Sequence, residues 1–238
     1  MAFIITSIAG LSTLLGSIFV FFKFKNKYKI INMALSFAAA IMITVSIFDL
    51  IPEGYNLLSG SNISLLLLLI SINIGIIISM FIDKNIHGND LNRVGIISMI
   101  AIIIHNIPEG IATYIACTHD LRFGIPLAIA ITLHNIPEGV MISLPLYYSG
   151  KGRGNAILYT FISGLSEVFG ALLSMLFLKN IINNYIMGIL LGIIAGIMLY
   201  ISIYELIPQI IKYKNKKVSI LSFIIGVIVM FISIFITK

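Results

Sequence analysis

The sequence predicts an all-α integral membrane protein of eight transmembrane helices, arranged three, two, three and containing inverted repeats. Three observations predict it. The chain is 59% hydrophobic and 10% charged, with a mean hydropathy of +1.11, whereas soluble domains carry about 25% charged residues. Eight apolar stretches reach the roughly 20 residues that a helix needs to cross a bilayer, near 2–22, 31–53, 63–82, 94–117, 123–148, 155–178, 186–209 and 218–237. Lysine and arginine fall in alternate loops, as topology demands of a multi-pass chain.

The first stretch has no basic region before it and no small-residue cleavage site, so it reads as a retained helix rather than a signal peptide. Helices two and three follow across a lysine-rich loop with Lys23, Lys25, Lys27 and Lys29 and a short polar loop. The longest loop, about 83–93, carries Lys84 and Arg93. Its other titratable residues are Asp83, His87 and Asp90, and a single histidine is too few for a sensing loop. Lys151 and Arg153 separate helices five and six, and Lys212, Lys214, Lys216 and Lys217 separate seven and eight. These odd loops hold twelve of the basic residues, and Arg122, Lys179 and Lys238 on the other side are the remaining three. The imbalance places both termini outside the cell, in a cell-membrane protein with no soluble domain: residues 1–238 read as one transmembrane domain. The net charge of +6 lies in short loops rather than on a folded basic face, so nucleic acid is not a partner. A single cysteine, Cys117, excludes a disulfide framework or a thiolate zinc site within one chain.

Within helices four and five one hexapeptide occurs twice. His105-Asn106-Ile107-Pro108-Glu109-Gly110 returns 29 residues later (105 to 134) as His134-Asn135-Ile136-Pro137-Glu138-Gly139. His and Glu four apart share a helix face, and Asn sits on the adjacent stripe. If the two helices face each other, both sets converge near mid-membrane. Glu167, in Ser163-Gly164-Leu165-Ser166-Glu167, adds a carboxylate near the centre of helix six. An Asp at such depth costs roughly 2.5–3.5 kcal/mol on the insertion scale. No lysine or arginine lies mid-span to offset these acids, so a cation must come from elsewhere. Imidazole, amide and carboxylate ligands suit Zn, Fe, Mn, Co and Ni over Cu(I), and the His pair disfavours Ca and Mg. The candidate metal ligands are His105, Asn106, Glu109, His134, Asn135, Glu138 and Glu167, enough for two ions bridged by Glu109 and Glu138. Pro108 and Pro137 free the carbonyls of Ile104 and Leu133 and predict a kink; Gly110 and Gly139 permit close helix approach.

A second echo links Phe48-Asp49-Leu50-Ile51-Pro52-Glu53 in helix two with Tyr204-Glu205-Leu206-Ile207-Pro208-Gln209 in helix seven. The two helices run in opposite directions, which is the mark of an inverted repeat in secondary transporters. With helices four and five central, the chain divides three, two, three. Asp49, Glu53, His119 and Asp120 lie toward the outside, where acids raise local cation concentration. Glu205 and Gln209 lie toward the inside, on the exit path. Asn73 and Ser36 read as interhelical hydrogen-bonding residues.

The motif pair, the loop lengths and the spans closely resemble the ZIP family of divalent metal transporters, best its bacterial branch of broad-specificity uptake proteins. The resemblance covers essentially the whole chain and rests on residues 105–110, 134–139 and 163–167. It implies a binuclear site, with His105, Glu109, His134 and Glu138 at one position and Asn106, Glu109, Asn135, Glu138 and Glu167 at the other. It also implies a 3+2+3 helix fold, a homodimer in many members, and elevator-like or rocking alternating access. It makes the chain an importer of zinc, with iron, manganese, cobalt and cadmium also carried, and not an enzyme. No cofactor is expected besides the transported ion. Many members have His-Glu-x-x-His on helix five. Here Asn135 and Glu138 stand instead, a harder ligand set that broadens selectivity toward Fe and Mn. Val168-Phe169 replaces the usual Pro-Leu after Glu167, which bears on the local bend of helix six. Rival readings are an intramembrane metal-dependent hydrolase, in which the duplicated motif leaves no general base, a metal-selective channel, and an exporter.

Overall fold

The computed structural model describes residues 1–59, 63–86, 90–178 and 183–237; His87, Lys179 and Lys238 lie outside them. Among the described residues every regular element is helical. The rods are α1 (Ala2–Phe21), α2 (Lys27–Leu58), α3 (Ser64–Asn85), α4 (Asp90–His119), α5 (Leu121–Leu146), α6 (Gly152–Leu173), α7 (Asn184–Lys212) and α8 (Lys216–Thr237). Several run longer than the apolar stretches predict. α2 begins at Lys27, where the Asn26 side chain caps it by accepting from the Lys29 N–H.

Seven segments of the described chain are long and apolar enough to cross a membrane, one fewer than the sequence predicts. The difference lies in 124–177, a single stretch of 54 residues. A π turn, Tyr147–Lys151, carries helical bonding through its middle, but Gly150 has φ 97° and Gly152 φ 80°. These left-handed values, open to glycine for lack of a Cβ, end one rod and start the next. α5 and α6 then pack side by side.

The rods sort into two groups by their packing. α4 packs most heavily on α6 and α5, and α1 fills the space against α5 and α6. In the second group α3 packs on α7, and α8 on α2. Small residues set these approaches. A Cβ on Gly110 would overlap the Glu167 carbonyl oxygen and one on Gly170 the Ile107 carbonyl oxygen, which locks α4 to α6. Gly75 and Gly196 make the equivalent pair between α3 and α7. Outward-facing Leu65, Leu66, Phe81, Ile220, Leu221 and Phe235 are exposed on α3 and α8, as lipid contact requires.

One end of the bundle gathers the lysine-rich connections. Lys27, Tyr28, Leu91, Tyr148, Gln209 and Lys212 line one cleft there, and the Tyr28 and Tyr213 rings lie 5.5 Å apart. The opposite end holds Phe3, Tyr114, His119, Asp120 and Met175 around another cleft.

α2 and α7 run antiparallel, since the last turns of α2 pack on the first turns of α7. Each contains a π-helical turn, Ser46–Leu50 and Ile201–Leu206, directly before Ile-Pro. Proline lacks the N–H that would close the ordinary turn, so the hydrogen-bond register widens there. The echo seen in the sequence is thus matched by identical local geometry at opposite ends of the bundle. In contrast, α4 and α5 run α-helical through Pro108 and Pro137, although neither proline can bond the carbonyl four residues back. α1 tightens to a 3₁₀ helix over Ser12–Phe21, where Ser12, Thr13 and Ser17 donate to carbonyls three residues back.

Candidate metal centre

α4, α5 and α6 bring all seven sequence-selected side chains into the interior, six of them buried and Glu109 16% exposed. The two hexapeptides pair crosswise. His134 Nε2 lies 2.9 Å from Glu109 Oε1. His105 Nε2 lies 3.3 Å from Glu138 Oε1, close enough for ion pairing but without hydrogen-bond geometry. Each His therefore faces the Glu of the other copy rather than its own. Among the described residues no three His, Cys, Asp or Glu side chains are gathered as a ready cage; the arrangement is two His–Glu pairs, flanked by amides. The charges of Glu109 and Glu138 both act on Glu167, so the three carboxylates share one neighbourhood.

The asparagines are oriented by the protein. Asn135 donates its Nδ2 to Glu167 Oε2 at 2.7 Å and to the Ala9 carbonyl at 3.0 Å. Asn106 donates its Nδ2 to the Ser163 carbonyl at 3.3 Å. With both amide nitrogens engaged, the oxygens Asn106 Oδ1 and Asn135 Oδ1 remain without partners. So do Glu109 Oε2, Glu138 Oε1 and Oε2, Glu167 Oε1, His105 Nδ1 and Nε2, and His134 Nδ1. Buried polar atoms normally find partners, and leaving them unmet costs about 1–3 kcal/mol each. A concentration of orphaned oxygen and imidazole atoms is what a hard or borderline divalent cation would satisfy.

A cavity of about 60 Å³ reaches this cluster from the His119 end. Asp49, Glu109 and His134 supply its polar wall, and Leu127, Ile131, Ile194 and Met198 its apolar one. Asp49 also acts electrostatically on His134. The cavity lies between the two helix groups. Toward the lysine-rich end the space is filled by Ile97, Ile102, Met42, Ile142 and Ile201, all fully buried.

The other polar residues have plainer settings. Asp120 caps α5 by accepting from the Arg122 N–H, and its carboxylate also takes the Arg122 guanidinium at 2.8 Å; that hydrogen bonding holds its carboxyl below the usual range. His119 and Glu53 are exposed. Asn73 donates within its own helix to the Leu69 carbonyl at 2.8 Å, not across helices. Ser36 donates to Asn32 Oδ1 at 3.2 Å.

Two polar nodes escaped the sequence reading. Asn32 is fully buried, donates to the Ile210 carbonyl and accepts from Ser219, tying α2 to α7 and α8. Its signal was only an Asn one turn before Ser36 in an apolar run. Arg93, assigned to topology alone, bonds Asp83, and its Nη1 lies 3.0 Å from Glu205 Oε1. Glu205, expected on the exit path, is thus engaged by an arginine.

Comparison with known proteins finds a family and several relatives. A family model described as "ZIP Zinc transporter" matches residues 83–234. The chain is 35% identical to a zinc transporter ZupT from Clostridium perfringens, with 98% of this chain and 95% of that protein covered. It is 36% identical to one from Streptococcus mutans over 76% of each, and 33% identical to one from Akkermansia muciniphila over 96% and 94%.

Proposed function

The chain belongs to the ZIP family and is a multi-pass membrane transporter of divalent metal ions, not an enzyme; from that premise we propose that it imports zinc through the His105/His134 cluster by alternating access. The observation that carries this reading is the buried set of orphaned oxygen and imidazole atoms on α4, α5 and α6. An incoming cation separates the His134–Glu109 and His105–Glu138 pairs and takes their place. His105, Glu109, His134 and Glu138 hold one ion; Asn106, Glu109, Asn135, Glu138 and Glu167 hold a second. Iron, manganese, cobalt and cadmium fit the same ligands, since amides and carboxylates outnumber imidazoles.

In this reading residues 1–238 form one transmembrane domain of eight crossings in a 3+2+3 order, with α5 and α6 as separate crossings. Both termini face outward from the cell membrane, because the lysine-rich connections face the cytoplasm. The Asp49 cavity is then the outer approach, where its carboxylate concentrates cations. A cavity on one side of the site and close-packed residues on the other favour alternating access over a channel. The moving parts are the two helix groups, and a homodimer is the assembly.

Zinc entry into proteoliposomes tests the proposal. Wild type should show saturable entry, and a Glu109→Ala/Glu138→Ala variant should lose it. Equal entry by both proteins would remove the cluster from the path.

A further inference from the structure

We propose that Arg93 is the latch of the lysine-rich end: it clips the α4 group to α3 and α7 through Asp83 and Glu205, and it must let go before the site can open to that side.

The latch crosses the boundary between the helix groups. Arg93 sits at the start of α4, in the group that carries His105, Glu109, His134, Glu138 and Glu167. Its partners belong to the other group: Asp83 near the end of α3 and Glu205 in the π turn of α7. Tyr200, one turn earlier on α7, donates its hydroxyl to Asp83 Oδ2 at 3.1 Å and so braces α3 against α7 behind the guanidinium. Arg93 Nε adds a bond to the Ile86 carbonyl at 3.3 Å. A planar guanidinium holding two carboxylates on separate helices fixes relative position far better than a single point contact.

Its place in the fold shows what it closes. Between Arg93 and His105 lie three turns of α4, with Ile97, Ala101 and Ile102 packed out of solvent. Leu146 of α5 and Leu206 of α7 complete the plug. The cavity at the site lies on the other side, among Asp49, Ala112, Leu127 and Leu191. Any shift of the α4 group along α7 pulls Arg93 off both acids. Glu205, only 3% exposed, would then keep Asp83 as its neighbour but lose the cation that pairs with both acids, a costly intermediate. Two discrete positions follow, clipped and released, rather than a gradual slide.

This inference rests on the alternating-access reading, so its test reads conformation separately from flux. In a Cys117→Ser background, Ala101→Cys places a thiol in the plug. A membrane-impermeant maleimide is applied from the lysine-rich side of everted vesicles. With Arg93 present labelling should be slow. Arg93→Gln should speed it about fivefold or more, as should Asp83→Asn/Glu205→Gln, while Arg93→Lys should fall between. Unchanged labelling in both neutralised variants, with zinc entry intact, overturns the latch and leaves transport standing. Faster labelling in a protein whose unaltered form moves no zinc keeps the latch and overturns the transport reading. If Arg93→Gln does not fold, the Asp83→Asn/Glu205→Gln protein, which keeps Arg93, supplies the check. Labelling at position 101 no faster than with both acids present would refute the proposal.

Discussion

His134 on α5 stands 2.9 Å from Glu109 on α4, so the histidine of one hexapeptide is held by the glutamate of the other. His105 and Glu138 repeat the relationship at 3.3 Å. The duplicated motif therefore works as a crossed pair. Removing either glutamate leaves the opposite histidine without its partner, as well as removing a proposed metal ligand. Glu109→Gln and Glu138→Gln should each reduce zinc uptake more than 100-fold or so, beyond the range for outer-shell partners. Initial rates in proteoliposomes, normalised to folded protein, measure this. A loss confined to one of the two variants would contradict the crossed arrangement.

Glu167 shares its carboxylate with Asn135 Nδ2 and faces neither histidine in a direct bond. Glu167→Ala should spare the His-lined position and empty the Asn-lined one. Bound zinc per chain, measured by elemental analysis and anomalous scattering, should fall from two ions to one. Two ions retained at unchanged places would remove Glu167 from the ligand set.

Asp49 lines the cavity beside Glu109 and His134 without belonging to the motif. Asp49→Asn should raise the KM for zinc by about tenfold through weaker cation attraction and leave kcat near its original value. The difference should shrink at high ionic strength, because salt screens the approach. An equal effect at all salt concentrations would point to a direct ligand role instead.

Gly110 has no room for a side chain, because a Cβ there would overlap the Glu167 backbone. Gly110→Ala must push α4 off α6 and should cost about 1–3 kcal/mol or more. Thermal unfolding in detergent should show a lower midpoint, whereas Gly154→Ala, with nothing within 4 Å, should not shift it by packing. A Gly110→Ala protein as stable as wild type would mean that this helix contact is looser than described.

Asn32 joins three helices far from the metal centre. Asn32→Ala leaves the Ile210 carbonyl without its donor and the Ser36 hydroxyl without its acceptor, while Ser219 keeps the Asn215 carbonyl, a loss of about 1–3 kcal/mol. Stability should fall while the zinc KM of the folded fraction stays unchanged; a shifted KM would tie α2 and α8 to the site.

Much of this molecule was legible in the linear chain because its determinants are local or compositional. Twenty-residue apolar runs mark helices in a bilayer, whose backbone must satisfy its own hydrogen bonds. The hexapeptide repeat and Glu167 mark the candidate site, because polar ligand groups are too costly at that depth without a purpose. Even the Asp49 and Glu205 echo was visible, since each precedes Ile-Pro after the same few residues. What the chain order could not convey depends on how rods meet. Helical spacing puts His105 and Glu109 on one face, but only the register of α4 against α5 decides that each glutamate serves the other copy. Whether the hydrogen-bond register widens beside a proline, as before Pro52 and Pro208, or stays α-helical, as at Pro108 and Pro137, is likewise not set by the local sequence. The Arg93 connection joins residues 83, 93 and 205, brought together by the packing of α3, α4 and α7. Long-range side-chain partnership is a property of the assembled bundle, and no local pattern encodes it.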